Sequence, residues 1–584
     1  GDNIPADARL IQPFGFRVQE AALPGESVPV EKDAGAVLGP ATPLGDRRNM
    51  VYMGTVAAAG KASAVVAATG MGTELGRIAG MLLRYQPEPT PLQRRLTELG
   101  KVLIVVCLVI VALIFTLQML RGGELVEVFL LSVSLAVAAV PEGLPAVVTM
   151  ALALGLQRMV KRNALIRKLP SVETLGSVTV ICSDKTGTLT RNEMTVQEIT
   201  AGGERFRLTG VGYAPRGEFL LASDSAPSAG LAAALAIDPH VQPDLLRTLT
   251  IGLRCNNAKV NPRGCGENDW QVIGDPTEGA LVVAGLKAGL DADMSGEQLV
   301  YEIPFDSERK AMSVIVRDRQ ASLWMYTKGA PEVILGKCTH ELKAGKVQAL
   351  AADRRNQIEQ DNAAMASRAL RVLGLAYREM PPEGATNYEE RELIFAGLVG
   401  MIDPPREEVK DAVRRCHEAG IRPVMITGDH PATALAIARE LRIADAGNRA
   451  VTGHELNDMS EDQLAERIER IPVYARVSAE HKLRVVQAWK DRGQIVAMTG
   501  DGVNDAPAVK AADIGIAMGV TGTDVTKEAS AMVLTDDNFA SIVNAVEEGR
   551  CIYDNIQKVL QFLLSCNAGE VLLMLVTSLL GWPP

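Results

Sequence analysis

The chain has 584 residues, too many for one hydrophobic core, so several domains are expected. Its formal charge of −10 excludes nucleic acid as the main partner. None of the eight cysteines sits in a CxxC pair, which excludes a zinc ribbon or a disulfide framework and places the soluble parts in a reducing cytosol. Mean hydropathy is slightly positive and aromatics are scarce, a mixture that suits soluble α/β domains joined to a few membrane spans.

The opening GDNIPADARL is no signal peptide. It reads as the middle of a β-rich domain, with Gly and Pro turns between short strands. One such turn is LPGESVPVEK, where Glu26 taken alone is a surface turn residue. The chain stops inside an apolar run, LLMLVTSLLGWPP, so both ends read as points where a longer protein has been cut.

Val102 to Leu120 supplies roughly the 20 apolar residues of a spanning helix. Val126 to Leu156 is a second run, broken by Pro141, Gly143 and Pro145; the linker RGGEL makes the two a hairpin. Arg94, Arg95 and Lys101 precede the hairpin, and Arg158, Lys161, Arg162, Arg167 and Lys168 follow it. By the positive-inside rule both outer ends are cytoplasmic, as is the segment 157–558. In VAAVPEGLP, Pro141 has no N–H for the carbonyl of Val137. Freed carbonyls survive at membrane depth only in a protein-lined site. Glu142 adds a carboxylate there, and hard cations take carbonyl and carboxylate oxygens together. Val559 to Trp582 is a third span, in which Asn567 and Glu570 lie three apart and share a helix face.

SVTVICSDKTGTLTRNEMTV follows the hairpin. VTVIC reads as a buried parallel strand, and Asp184 stands at its carboxyl end, where open α/β sheets place active sites. Lys185 adds positive charge; Thr186, Gly187 and Thr188 form a loop able to bond phosphate. A carboxylate so placed can attack a phosphoryl group. DKTGTLT resembles the phosphorylation motif of P-type ATPases, a branch of the haloacid-dehalogenase-like fold.

Further motifs resemble that family in its own order. CNNA at 255–258, GDPTEGAL at 274–281, PFDSERKAMSV at 304–314 and YTKGAPE at 326–332 resemble the nucleotide-binding domain of the calcium-pump branch; there is no Walker-A GK[ST]. On that resemblance Phe305 stacks on adenine, Glu278 contacts the adenine side, Lys310 and Lys328 line the ATP pocket, and Arg371 reaches the phosphates. Thr427, Gly428 and Asp429 stand in MITGDH, Lys482 in ARVSAEHKL, and Asp501, Asn504 and Asp505 in TGDGVNDAPA. The resemblance implies that Asp184 is the nucleophile and that Asp184, Asp501 and the Thr186 carbonyl hold Mg²⁺. It implies that Lys482 stabilises the transferring phosphoryl group, while Thr427, Asn504 and Asp505 orient phosphate and metal ligands. LPGES resembles the family's actuator loop, with Pro24 in place of its threonine; Glu26 would set a water against the phospho-aspartate. Thr186 stands where related phosphatases carry a second Asp, so the phosphoenzyme should persist.

The implied organisation is a multidomain α/β protein with membrane helices. A partial β-rich actuator domain (1–97) precedes a hairpin (98–156). A haloacid-dehalogenase-like Rossmann phosphorylation domain (157–199 and 396–546) is interrupted by an α/β nucleotide-binding domain (200–395), and a stalk leads into a further span (547–584). PEGLP and NAGE look most like calcium pumps, implying a Ca²⁺ site from the carbonyls of Val137, Ala138 and Val140 with Glu142, Asn567 and Glu570. Heavy-metal pumps carry Cys–Pro at the break, where Val140 stands here. Pumps for Na⁺, K⁺, H⁺ or Mn²⁺ remain alternatives, as do a soluble aspartyl-phosphate phosphatase and a non-catalytic relative. The expected setting is the plasma (inner) membrane with catalytic domains in the cytosol; the expected partners are bilayer, ATP and cation.

Overall fold

A computed structural model describes residues 1–20, 23, 29–39, 42, 44–84, 91–120, 124–138, 144–222, 235–263, 270–293, 296–306, 309–381 and 388–580. Its contacts divide it into two units. One comprises Gly1–Leu189, Glu407–Gly428 and Arg442–Pro584; the other comprises Thr190–Arg406 and Asp429–Leu441.

The first unit is built on an eight-stranded sheet. Its strands run in the order Val451–Thr452, Val473–Ala475, Arg422–Ile426, Val180–Ser183, Val496–Gly500, Ile514–Met518, Met532–Leu534 and Ala164–Ile166. All neighbours pair in parallel except the last strand, which is antiparallel. Central parallel strands are covered on both faces, which explains why VICS, VAMTG and IGIAM are buried throughout. Val180, Cys182, Val424, Ile426, Val485, Trp489, Val496 and Met498 share one core below it.

At the amino-terminal end of this unit two 13-residue strands, Asp7–Gln19 and Val56–Ala68, pair antiparallel. They cross closely at Gly15 and Gly60, where a Cβ on Gly60 would stand 2.2 Å from the Gly15 carbonyl oxygen. Beside them Lys32 and Glu20 form an ion pair at 2.6 Å, both side chains fully shielded. Burial alone lowers the Lys32 pKa, the Glu20 carboxylate opposes this, and the net shift is downward.

Four long apolar helices complete the unit: Pro91–Leu120, Leu125–Ala138, Leu144–Lys161 and Phe539–Leu580. Gly100–Leu120 and Phe539–Thr577 are long and apolar enough to cross a membrane. The second apolar run is two helices, ending at Ala138 and restarting at Leu144; Val140, Pro141, Glu142 and Gly143 lie outside the described residues. The helix Phe539–Leu580 passes the sheet before entering its apolar half. Its Gly549 packs against Gly176 of the helix Ser171–Gly176 so tightly that a Cβ on Gly549 would lie 2.6 Å from the Gly176 nitrogen. Next to that crossing Glu547 takes both Arg162 (3.2 Å) and Arg415 (3.0 Å).

The second unit carries an 11-stranded sheet. Nine strands form its path: Leu235–Ile237, Phe219–Leu221, Glu204–Leu208, Thr195–Ala201, Leu393–Ile402, Arg371–Met380, Leu323–Gly329, Ala311–Arg317 and Gln298–Asp306. Each pairs antiparallel with the next. Helices Pro243–Arg254 and Pro276–Lys287 supply Leu245, Leu249, Ala280, Leu281 and Ala284 to a core shared with Ile199, Met312, Val314, Leu375 and Val399.

Candidate functional site

Asp184 directly follows the central strand Val180–Ser183, so the sheet delivers its carboxylate to the carboxyl edge. The neighbouring strands deliver Thr427 after Arg422–Ile426 and Asp501 after Val496–Gly500. The chain leaves Asp184 through a tight turn in which Gly187 adopts φ +73°, a conformation that suits glycine. The Lys185 N–H folds back to donate to Asp184 Oδ1 at 2.6 Å. The Asp184 N–H donates to Thr499 Oγ1 at 3.0 Å.

Lys482 comes from the helix Ala479–Asp491, whose start is capped by Ser478. Its Nζ donates at 2.6 Å both to Asp184 Oδ2 and to Asp505 Oδ1. The second oxygen of Asp505 accepts from the N–H groups of Asp501 (3.1 Å) and Gly502 (3.0 Å). Asp505 therefore has both oxygens engaged and holds the 501–505 turn in place. Burial by itself lowers the Lys482 pKa, but its two carboxylate partners outweigh that, and the ammonium is held charged.

One ligand atom from each of Asp184, Asp501 and Asp505 falls within 4.8 Å of the others. Three carboxylates thus face one lysine. Burial, reinforced by Asp184 and Asp505, pushes Asp501 up to about 7. Asp184 is raised too, by burial first, with Lys482 opposing and Asp505 adding to the rise. This excess of negative charge among oxygen donors fits a hard divalent cation. Asp184, like Asp505, has a donor on each carboxylate oxygen, so a cation beside it would share those oxygens with Lys482 and the Lys185 N–H.

Of the other residues singled out in the sequence, Thr427 is buried, and Thr186 and Asn504 are half-buried in the turns that carry Asp184 and Asp501. Gly428 is exposed at the end of its strand, and Asp429 begins the short segment that groups with the second unit. Glu26, with Pro24, Gly25 and Ser27, lies outside the described residues. Thr499 was missed. A hydroxyl within the strand-like QIVAMT carries no motif, and only the parallel pairing of Val496–Gly500 with Val180–Ser183 brings it to Asp184.

In the second unit Asp275 caps the helix Pro276–Lys287, accepting from the N–H groups of Thr277 (2.7 Å) and Glu278 (3.2 Å). Glu278 pairs with Lys328 at 2.8 Å and accepts from the Asn257 N–H at 3.1 Å. Arg371 Nη1 donates to Thr277 Oγ1 at 2.9 Å. Glu278, Lys328 and Arg371 therefore converge on one helix start. Phe305 and Lys310 flank the turn between the last two strands of the sheet, where Asp306 pairs with Ala311. Phe305 is 47% exposed, and Lys310 reaches towards Glu332 at 3.9 Å.

Of the residues singled out for ion binding, the described ones lie on two helices that touch one another. Val137 and Ala138 are the last two of the helix Leu125–Ala138. Asn567, half-buried, and Glu570, exposed, lie on Phe539–Leu580, and Val140 and Glu142 are outside the description.

Comparison with known proteins agrees with this geometry. Residues 1–83 match the P-type ATPase actuator domain, and residues 244–408 match the P-type ATPase cytoplasmic domain N. A calcium-transporting ATPase of Bacillus subtilis is 46% identical over the whole chain, which covers 64% of that relative. The cation-transporting ATPase pma1 of Synechocystis is also 46% identical over the whole chain, covering 63%. A probable cation-transporting ATPase F of Mycobacterium tuberculosis is 45% identical over the whole chain, again covering 63%. The chain spans just under two thirds of the length of these relatives. With an aspartate-centred parallel sheet, both domain matches and whole-chain identity in agreement, the chain belongs to the P-type ATPases.

Proposed function

We propose that this chain is the catalytic part of an ATP-driven cation pump working through a phosphorylated Asp184, with Ca²⁺ as the transported ion. The observation that carries the reading is the Asp184–Lys482–Asp505 cluster, with Asp501 beside it, at the carboxyl edge of the central strand. Asp184 Oδ attacks the γ-phosphorus of ATP; the new O–P bond forms as the bond to the β,γ-bridging oxygen breaks, and ADP leaves. Lys482 spreads positive charge over the transferring group, and the N–H of Lys185 steadies the nucleophile. Phosphoryl transfer needs this alignment and charge neutralisation more than covalent help from the protein. Mg²⁺, held by Asp184, Asp501 and the Thr186 carbonyl, would supply charge neutralisation to the phosphate oxygens. Thr427, Asn504 and Asp505 orient phosphate and metal ligands. Glu26 then positions the water that returns Asp184 to its free state.

ATP is assigned to the second unit, between Phe305, Lys310, Lys328, Glu278 and Arg371. The domain boundaries read from the sequence, with the nucleotide-binding insertion at 200–395, are proposed with this assignment. The apolar helices are assigned to a lipid bilayer, in the plasma membrane, with both units in the cytosol. The names of the Bacillus relatives support calcium. The ion site is assigned to the carbonyls of Val137, Ala138 and Val140 with Glu142, Asn567 and Glu570.

The test is labelling by γ-phosphate-labelled ATP with Ca²⁺ present or chelated, in the complete parent protein, with Asp184→Asn as control. Acid-stable, alkali-labile, Ca²⁺-dependent label that the variant lacks is expected. Asp184-dependent label indifferent to Ca²⁺ refutes calcium as the ion, and no label refutes the pump.

A further inference from the structure

Phe305 and Lys310 are both exposed where the strands Gln298–Asp306 and Ala311–Arg317 meet, yet a stacking platform works only if its backbone is held. Three observations show what holds it. Arg309, inside the turn, donates to the carbonyl of Pro304, the residue before Phe305, and its own N–H donates to Asp306 Oδ1 at 2.8 Å. The same guanidinium is paired with Glu390, whose side chain is only 6% exposed. Glu390 also accepts from Ser313 Oγ at 2.6 Å and pairs with Lys337.

Ser313 stands opposite Ile303 in the register of the two strands that carry the turn. Its hydroxyl shares a 2.8 Å hydrogen bond with Thr327, the neighbour of Lys328 on the next strand. A separate contact fixes the same segment: Tyr388 stacks on Tyr301, ring centroids 4.9 Å apart, on the strand leading to Phe305. Residues 388–390 are thus strapped across the hairpin at both strands and at its turn. Burial alone would push the Glu390 carboxyl up, but the donors Lys337, Ser313 and Arg309 outweigh it and hold it below its usual range.

We infer that Glu390 is a positioning residue for nucleotide binding: through Arg309 it sets the turn that presents Phe305 and Lys310. The inference rests on the assignment of ATP to this unit. Glu390 itself touches no nucleotide; its effect travels through one guanidinium to the carbonyl preceding the platform.

The experiment is calorimetric titration of the full chain in detergent with the β,γ-methylene analogue of ATP and with ADP, alongside thermal unfolding without nucleotide. E390Q is expected to weaken both ligands by the same factor, about tenfold, with full site occupancy. R309M is expected to match it, and the double variant to be no weaker than either single one. R309M also keeps the test open if E390Q does not fold. Affinity within twofold of the parent in folded E390Q and R309M overturns the inference while leaving the nucleotide assignment intact. So does a loss confined to melting temperature and number of sites, with the dissociation constant of the folded fraction unchanged. Failure of the parent chain to bind either ligand overturns the nucleotide assignment and this inference together.

Discussion

Replacing Lys482 by Met isolates the charge at the centre of the proposed phosphorylation site. The side chain keeps similar length and loses the ammonium bonded to Asp184 and Asp505, each at 2.6 Å. Removing one partner of a buried ion pair typically costs about 3–5 kcal/mol, because the other charge is left without compensation. Here two carboxylates are stranded, but both keep backbone donors: Lys185 N–H on Asp184, and the N–H groups of Asp501 and Gly502 on Asp505. The low end, about 3 kcal/mol, is therefore expected at neutral pH in chelator.

The pH dependence has a definite sign. Carboxylates whose folded pKa is raised destabilise fully above that pKa and not at all below their unfolded pKa, so the Lys482→Met deficit shrinks on acidification. Millimolar Mg²⁺ should recover part of it by taking the place of the ammonium. The measurement is urea unfolding followed by Trp489, which is buried in the same helix as Lys482. A midpoint equal to the parent's at pH 7.5 without Mg²⁺, or a deficit that grows towards pH 5, refutes this account of the site.

Asp501→Asn should stabilise the Mg²⁺-free protein at pH 8 and change nothing near pH 4, because Asp501 is raised to about 7 and its penalty sets in only as pH rises through that window. The same unfolding assay reads it, and equal effects at both pH values would contradict it. Gly549→Ala should destabilise by about 1–2 kcal/mol, since overpacking against the Gly176 backbone exceeds the helix-propensity gain of alanine. A raised melting temperature in that variant would show that the crossing is looser than described. Pro24→Thr, which restores the hydroxyl of the family's loop, should accelerate decay of the phosphoenzyme in a chase with unlabelled ATP. An unchanged decay rate would mean that the hydroxyl is dispensable.

The cluster around Asp184 was legible from sequence because its residues sit in contiguous motifs at strand ends: Asp184 after VTVIC, Thr427 after IRPVMI, Asp501 after QIVAMT. Strand–turn patterns are local, and each motif carries its own turn chemistry. The restraints around the sites were not legible. Thr499 meets Asp184 across 315 residues, Arg309 meets Glu390 across 81, and Glu278 meets Lys328 across 50. None of these pairs has a spacing rule; each exists only once strands are paired in register. Buried ions such as Glu20 and Lys32 read in sequence as ordinary surface charges of a β-rich segment, because nothing local tells a buried lysine from a solvated one. Gly176 and Gly549 are also silent in sequence, since each looks like a minor fault in its own helix until the partner glycine is seen opposite.

The strand order of the phosphorylation sheet carries a consequence for how the protein is made. Val180–Ser183 lies between Arg422–Ile426 and Val496–Gly500, so its partners are translated long after it. At about 5–20 residues per second, the roughly 300 residues separating Asp184 from Thr499 take on the order of 15–60 s to emerge. For nearly all of that interval Asp184 exists without Lys482 or Asp501, and Thr190–Arg406, a continuous stretch of chain, is complete before either of them is made. On the proposed reading, the segment assigned to the nucleotide is therefore made before the cluster assigned to phosphoryl transfer is complete, and that cluster closes only shortly before the long apolar helix Phe539–Leu580 follows the last strands out of the ribosome.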